Sequence, residues 1–102
     1  LLRLSNYLSS QNHAEDAAYY QKAALTIADT LFDKPYISEN LDHQGLILHS
    51  IYHRPNGWDH IPEGYKIPCG ESSMWGDYHA RELALMIMRR AEGKPEYSFC
   101  TI

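Results

Sequence analysis

The sequence lacks both an excess of positive charge and long apolar runs. Its 102 residues include nine Lys and Arg against thirteen Asp and Glu, giving a formal net charge of -4 at pH 7. Because a nucleic-acid-binding domain normally presents a basic face, this balance argues against a nucleic-acid partner. No apolar run approaches the roughly 18 residues that a membrane-spanning helix needs, so we expect no membrane segment.

Sequence patterns that mark common catalytic and metal sites are also missing. The chain contains no GxSxG, no phosphate-binding P-loop, no GxGxxG, no CxxC and no HExxH. Its two cysteines, Cys69 and Cys100, are too few for a disulfide framework. The spacing of His49 and His53 suits zinc only on a helix, which the surrounding residues do not predict. We therefore expect no bound metal and no cofactor. A zinc-stabilised domain is less favoured than either of the two hypotheses developed below.

Apolar side chains at helical spacing predict two helices in the first third of the chain. Leu1, Leu4 and Leu8 are spaced like the last turns of a helix that begins before the first residue. Residues 14–32 predict a full helix, with Asn12 as its cap and acidic side chains in its first turn. The predicted buried stripe of this helix comprises Ala17, Tyr20, Ala24, Ile27 and Leu31.

A third helix is predicted near the end of the chain, over residues 75–92. Either Ser72 or Ser73 is a suitable cap, and Gly93 is a typical residue just beyond a helix end. The predicted buried stripe of this helix comprises Tyr78, Leu83, Ile87 and Ala91.

The intervening residues combine an apolar run with a long irregular stretch. Residues 45–52 predict a short buried extended segment, with His49 and His53 on one side. Beyond them, proline and glycine recur without a helical or alternating apolar period. A long irregular segment in a small domain is usually functional or disordered, and the aromatic residues here favour function. We therefore expect an ordered binding loop that ends at the third helix.

Two tryptophans, Trp58 and Trp75, are the first candidates for contact with a ligand. An indole offers a flat apolar face and one N–H donor, which suits stacking on a sugar ring. Packing in the core is the alternative. The two interpretations are equally favoured for Trp58, whereas ligand contact is favoured for Trp75 because it lies beside a helix start.

Charged residues in and near the loop supply further candidates. Three cations can bind a carboxylate, or simply remain solvated: Arg54, Lys66 and Arg81. Acid/base hydrolysis needs paired carboxylates, for which there are four candidates: Asp59, Glu63, Glu71 and Asp77. For Asp77, early in the predicted third helix, satisfying free backbone N–H groups of that helix is favoured over catalysis.

Two stretches of the chain carry a resemblance to a known family. They are HSIYHRPNGWD at residues 49–59 and IPCGESSMWGDYHARELAL at residues 67–85. Both resemble the C-terminal end of glycoside hydrolase family 88, the unsaturated glucuronyl hydrolases, and WGDYHARELAL is the most specific part. The resemblance covers nearly all of this chain but well under half of a family catalytic domain. The implied fold is all-α: the C-terminal helical hairpins of an (α/α)6 toroid, with a long loop containing short extended segments.

The resemblance implies that residues 1–102 are the C-terminal part of a glucuronyl hydrolase catalytic domain. Such enzymes remove a 4,5-unsaturated uronic acid from lyase-generated oligosaccharides by hydrating its double bond. The catalytic aspartates of the family match no position here, so we expect the chain alone to be inactive. Its implied partners are the unsaturated oligosaccharide and the missing N-terminal part of the same domain, in the cytoplasm or periplasm of a bacterium.

Only substrate contacts carry over from the resemblance. Trp75 matches the tryptophan of the family's WGDY segment, at the cleft end of the last helix. Some members bind a sulfate through two serines and a lysine, and the matching positions here are His53, Asn56 and Trp58. His53, Asn56 and Trp58 offer neither the lysine's cation nor the two serine hydroxyls, so the resemblance implies no preference for sulfated sugars. Arg54 is still able to meet an anion.

The alternative interpretation belongs to another class of protein. The same helices would form a small non-catalytic helical interaction module. The coding sequence upstream of Leu1 distinguishes the two interpretations, because further helical hairpins encoded there favour the hydrolase and a start codon next to Leu1 favours the module.

Overall fold

The computed structural model describes three ranges of the chain: residues 1–51, 61–66 and 69–97. These ranges contain three α-helices: α1 at Leu2–Ser10, α2 at Ala14–Leu31 and α3 at Met74–Ala91. They contain no strand, and one isolated antiparallel bridge joins Ile37 and Ile47. The all-α class predicted from the sequence is therefore confirmed. None of the helices in the described ranges combines the length and the apolar character needed to cross a membrane.

The chain divides into two compact units, residues 1–36 and residues 37–102. The first unit is a hairpin in which α1 packs against α2. The residues buried on these helices are mostly small: Leu2, Ser5, Ala17, Ala24 and Ala28. The hydroxyl of Ser5 donates to the carbonyl oxygen of Ala17 over 2.7 Å. Small side chains allow this close approach, because the distance between two packed helices depends on the residues at their contact.

Two details predicted for the second helix are wrong. Asn12 does not cap it, because the cap position is His13 and no side chain bonds there. Asn12 instead adopts a left-handed conformation with φ of 65°, which asparagine tolerates, and so turns the chain between the helices. Ile27 was placed on the buried stripe but is 56% exposed, since the buried line of α2 runs through Ala24 and Ala28.

Replacing Ser5 by alanine is expected to lower the free energy of unfolding of the first unit by about 1 kcal/mol, the usual net value of a buried hydrogen bond. Urea denaturation followed by far-ultraviolet circular dichroism measures the change. Ser10→Ala is the matched control, because the hydroxyl of Ser10 also donates to a backbone carbonyl, that of Tyr7, but at an exposed position. Equal losses in the two variants would show that the buried bond contributes nothing extra.

The helix of the second unit begins and ends as its sequence predicts. Ser73 is the N-cap residue, and its hydroxyl oxygen accepts a hydrogen bond from the backbone N–H of Gly76. At the other end, Gly93 has a φ of 66°, a left-handed conformation that favours glycine. The N–H of Lys94 then donates to the carbonyl oxygen of Arg89 over 2.8 Å. The prediction of a cap at Ser72 or Ser73 is thus confirmed at Ser73.

The buried face of α3 differs from the predicted stripe. Ala80 is its one fully buried residue, with 3% of its surface exposed. Leu83 and Ile87 are half-buried, whereas Tyr78 and Ala91 are exposed. The helix therefore turns Ala80 inwards and leaves Tyr78 on its outer side.

The apolar run before the loop is extended only at its beginning. Ile47 is buried and forms the bridge with Ile37, and the N–H of Ser38 donates to the carbonyl oxygen of Leu46 over 2.9 Å. His49 then adopts a left-handed φ of 65°. An alternating arrangement of side chains cannot continue through such a residue. The predicted alternation therefore fails at His49, and its predicted neighbour His53 lies outside the described residues.

Candidate substrate-binding site

The carboxylate of Asp77 fastens a distant segment to the first turn of α3. Its Oδ2 accepts from the backbone N–H of Leu46 and its Oδ1 from that of Ile47, both over 2.8 Å. Hydrogen bonds to a carboxylate are stronger than those between neutral groups. The prediction that Asp77 satisfies N–H groups of its own helix is therefore wrong, because Ser73 performs that role. Each oxygen of Asp77 accepts from a backbone donor, so the role that these contacts give it is structural.

His43 connects three parts of the same unit. Its Nδ1 lies 3.0 Å from the hydroxyl of Ser38 and 3.1 Å from the carbonyl oxygen of Gly45, and its Nε2 lies 3.2 Å from Oε2 of Glu71. This serine, histidine and carboxylate arrangement resembles a nucleophile with its base. Both ring nitrogens are engaged by groups of the same unit, Nδ1 by Ser38 and Gly45 and Nε2 by Glu71. In this arrangement His43 is a structural connector.

A third set of contacts joins the same segment to the residues that precede α3. The N–H of Ser50 donates to the carbonyl oxygen of Glu71 over 3.0 Å. The hydroxyl of Ser73 lies 3.3 Å from that of Ser50. Gly45 approaches the side chain of Ser72 so closely that no β-carbon fits there. Residues 43–50 are therefore bonded along the beginning of α3, immediately before the stretch that carries most of the candidate contacts.

Trp75 lies in the first turn of α3, between the cap residue Ser73 and the fastening residue Asp77. It is 47% exposed, which rules out complete burial of its indole in a core. The other four sequence candidates lie outside the described residues: Trp58, His53, Arg54 and Asn56. Of the other cations, Lys66 and Arg81 are exposed.

A groove of about 820 Å³ lies along the outer side of α3. Its lining comprises Gln44, Met74, Asp77, Tyr78, Arg81, Glu82 and Leu85. The exposed residues along this side form what we call the outer row: Met74, Tyr78, Arg81, Leu85 and Met88. Of these, sequence reasoning singled out Arg81 as a cation, but it placed Tyr78 in the core. The regular spacing of the row is visible in the sequence, although it does not show which side faces outwards.

The side chains of the described residues do not form a metal site. In residues 1–51, 61–66 and 69–97, no three side chains from His, Cys, Asp and Glu come together in a way that could hold a metal ion. Cys69 is half-buried and forms no disulfide bond within these ranges. The polar side chains described above, such as those of Asp77, His43 and Ser73, therefore bond to each other and to backbone atoms.

Comparison with known proteins adds no relative. No protein-family model matches the chain, and neither a curated protein nor a solved structure matches it significantly.

Proposed function

We propose that the chain is the C-terminal part of an unsaturated glucuronyl hydrolase and contributes a wall of its substrate-binding cleft. Trp75 carries the proposal. It stands in the segment with the strongest family resemblance, and the residue is 47% exposed on a helical turn held by Ser73 and Asp77. A flat aromatic face on a rigid element suits stacking on a sugar ring.

The proposed reaction explains why such an enzyme needs an aromatic wall. An aspartic acid protonates C4 of the unsaturated uronic acid, and water adds at C5. The resulting hemiketal opens and releases the rest of the sugar. Both steps require the ring to be held in a fixed position, which stacking on Trp75 would provide. The proposed further contacts are Trp58, His53, Arg54 and Asn56, while the aspartates are proposed to lie on polypeptide outside this chain.

The finer features of the fold and setting belong to the same proposal. The helices would be the last hairpins of an (α/α)6 toroid, completed by the preceding part of the domain. The enzyme would act in the cytoplasm or periplasm of a bacterium, on oligosaccharides that a polysaccharide lyase has produced. The contacts of Asp77, His43 and Ser50 support a cleft wall, because they hold the segment that leads into the candidate loop.

Titration of the chain with a 4,5-unsaturated uronic-acid disaccharide tests the proposal. We expect a saturable change in tryptophan fluorescence, with no loss of absorbance from the double bond. Trp75→Ala is expected to weaken binding, measured by nuclear magnetic resonance, about tenfold, which corresponds to about 1.4 kcal/mol. Tyr19→Ala is the matched control, because Tyr19 is an exposed aromatic residue of α2.

Each of the other outcomes would count against part of the proposal. Steady loss of the absorbance would show that the catalytic groups lie within this chain. Binding that survives Trp75→Ala unchanged would refute the sugar-facing role of the indole. Failure of the chain to bind the disaccharide would favour the alternative, a small non-catalytic helical interaction module.

One observation favours that alternative. The outer row leaves four large apolar side chains of α3 exposed: Met74, Tyr78, Leu85 and Met88. Contiguous exposed apolar surface usually marks a contact with another molecule. An interaction module would use this row for its partner, whereas the hydrolase would cover it with the rest of its domain.

A further inference from the structure

The outer row of α3 has the regular spacing of a helix seam. Positions 74, 78, 81, 85 and 88 are separated by alternating steps of four and three residues. On a helix of 3.6 residues per turn, they fall within an arc of about 80°. The apolar members are 83%, 58%, 43% and 59% exposed, in the order Met74, Tyr78, Leu85 and Met88. The fully buried residue Ala80 lies on a different side of the helix.

This spacing fits a second helix better than it fits a small ligand. Residues that alternate by three and four positions form the seam between paired helices. Scattered exposed apolar side chains are normal on a protein surface, but four of them aligned on one side of a helix, with a single cation between them, are not. A saccharide site would instead place several polar groups around one aromatic ring.

The charges around the row restrict what can pair with it. Arg81 lies in the middle of the row and makes no hydrogen bond or ion pair within the described part of the chain. Asp77 and Glu82 line the groove on the flanks of the row. A partner helix must therefore present an anion or an aromatic ring to Arg81. The outer row itself offers an aromatic ring at Tyr78.

We infer that α3 pairs with α3 of a second copy of this chain, and that the two helices are antiparallel. In this arrangement Arg81 of each copy lies level with Tyr78 of the other, and Met74 faces Leu85. A two-fold interface repeats each of these two contacts, so the seam has four layers. The guanidinium gains a cation–π contact with the phenol ring. The inference concerns this chain by itself, in which the row is uncovered, because the proposed hydrolase would cover the same row with the rest of its domain.

The same charges argue against a parallel pair. Parallel helices in register would place Arg81 opposite Arg81 of the other copy, and like charges across an interface are unfavourable. The antiparallel seam from Met74 to Leu85 extends over about 17 Å. A seam of this length along one helix buries less surface than a standard interface, which covers about 800 Å² per partner. We therefore expect a dimer that forms at micromolar concentrations and dissociates on dilution.

Sedimentation velocity from low micromolar to near-millimolar concentrations tests the pairing and its register. Tyr78→Arg places an arginine opposite Arg81 of the other copy in both central layers. We expect this variant to dimerise more weakly, with a dissociation constant about a hundredfold higher than that of the original chain. The double variant Tyr78→Arg, Arg81→Tyr exchanges the two groups and restores both layers. It is expected to dimerise within about threefold of the original chain.

Tyr19→Arg is the control, because it makes the same exchange at an exposed tyrosine of α2. Circular dichroism and the urea midpoint establish that each variant retains its fold, as expected for substitutions of exposed residues. The inference is overturned if the original chain is monomeric throughout, or if Tyr78→Arg dimerises as well as the control. A double variant that stays monomeric while folded would overturn the antiparallel register.

Discussion

Replacing Gly45 by alanine is expected to destabilise the second unit by about 3 kcal/mol, at the upper end of the usual cost of overpacking. A β-carbon at this position would overlap both side-chain atoms of Ser72 and would lie 2.7 Å from Cε1 of His43. Ser72 is short and its hydroxyl is buried, so neither atom can turn away into solvent. His43 is held by Ser38 and Glu71, and its displacement would loosen those contacts as well.

Urea denaturation followed by tryptophan fluorescence measures this effect. Both tryptophans of the chain, Trp58 and Trp75, belong to the second unit, so their emission reports its unfolding. The matched control is the same substitution in a Ser72→Gly background, where the obstructing side chain is absent. In that background only the approach to His43 remains, so we expect Gly45→Ala to cost about 1 kcal/mol, the lower end of the usual range for overpacking. A cost that is equal in both backgrounds would show that the close approach is not the cause.

The ends of the helices are the features that the sequence predicted best. Ser73 was one of two candidate caps, and Gly93 was the predicted residue beyond α3. Both signals are local, because a cap bonds within the next turn and a left-handed residue needs only its own backbone. Asn12 shows the limit of such signals, since it occupies the turn before α2 without capping it. Its side chain suits either role, and the hairpin geometry decides between them.

The buried face of α2 was predicted in part, at Ala17 and Ala24, but that of α3 could not be assigned from the sequence. In α3 more than one line of residues follows helical spacing, among them the predicted stripe and the outer row. Which line faces inwards depends on Leu46 and Ile47, about thirty residues away, whose N–H groups bond to Asp77. No local pattern identifies those partners. Of the predicted substrate contacts, only Trp75 lies among the described residues, and the hydrogen bonds that hold the segment beside it are non-local.

Replacing Asp77 by asparagine is expected to destabilise the second unit by about 3 kcal/mol. The carboxylate accepts from two consecutive backbone N–H groups, those of Leu46 and Ile47, both over 2.8 Å. A side-chain amide has one carbonyl oxygen, and its NH₂ group would face the second backbone donor. One N–H is then left without an acceptor, and the other loses the contribution of a negative charge. Hydrogen bonds to charged groups contribute about 1.5–3 kcal/mol each, so the expected total is close to one such bond.

Tryptophan fluorescence in urea measures the loss of stability, and hydrogen exchange locates it. The amides of Leu46 and Ile47 should exchange about tenfold faster or more in the variant, because their segment opens locally. Asp29→Asn is the matched control, since it removes the same charge from an exposed position of α2. If both amides keep their protection while the fold weakens, the loss comes from elsewhere in α3. Faster exchange at these two amides, with α3 still protected, would establish that a single carboxylate holds the segment leading into the candidate binding loop.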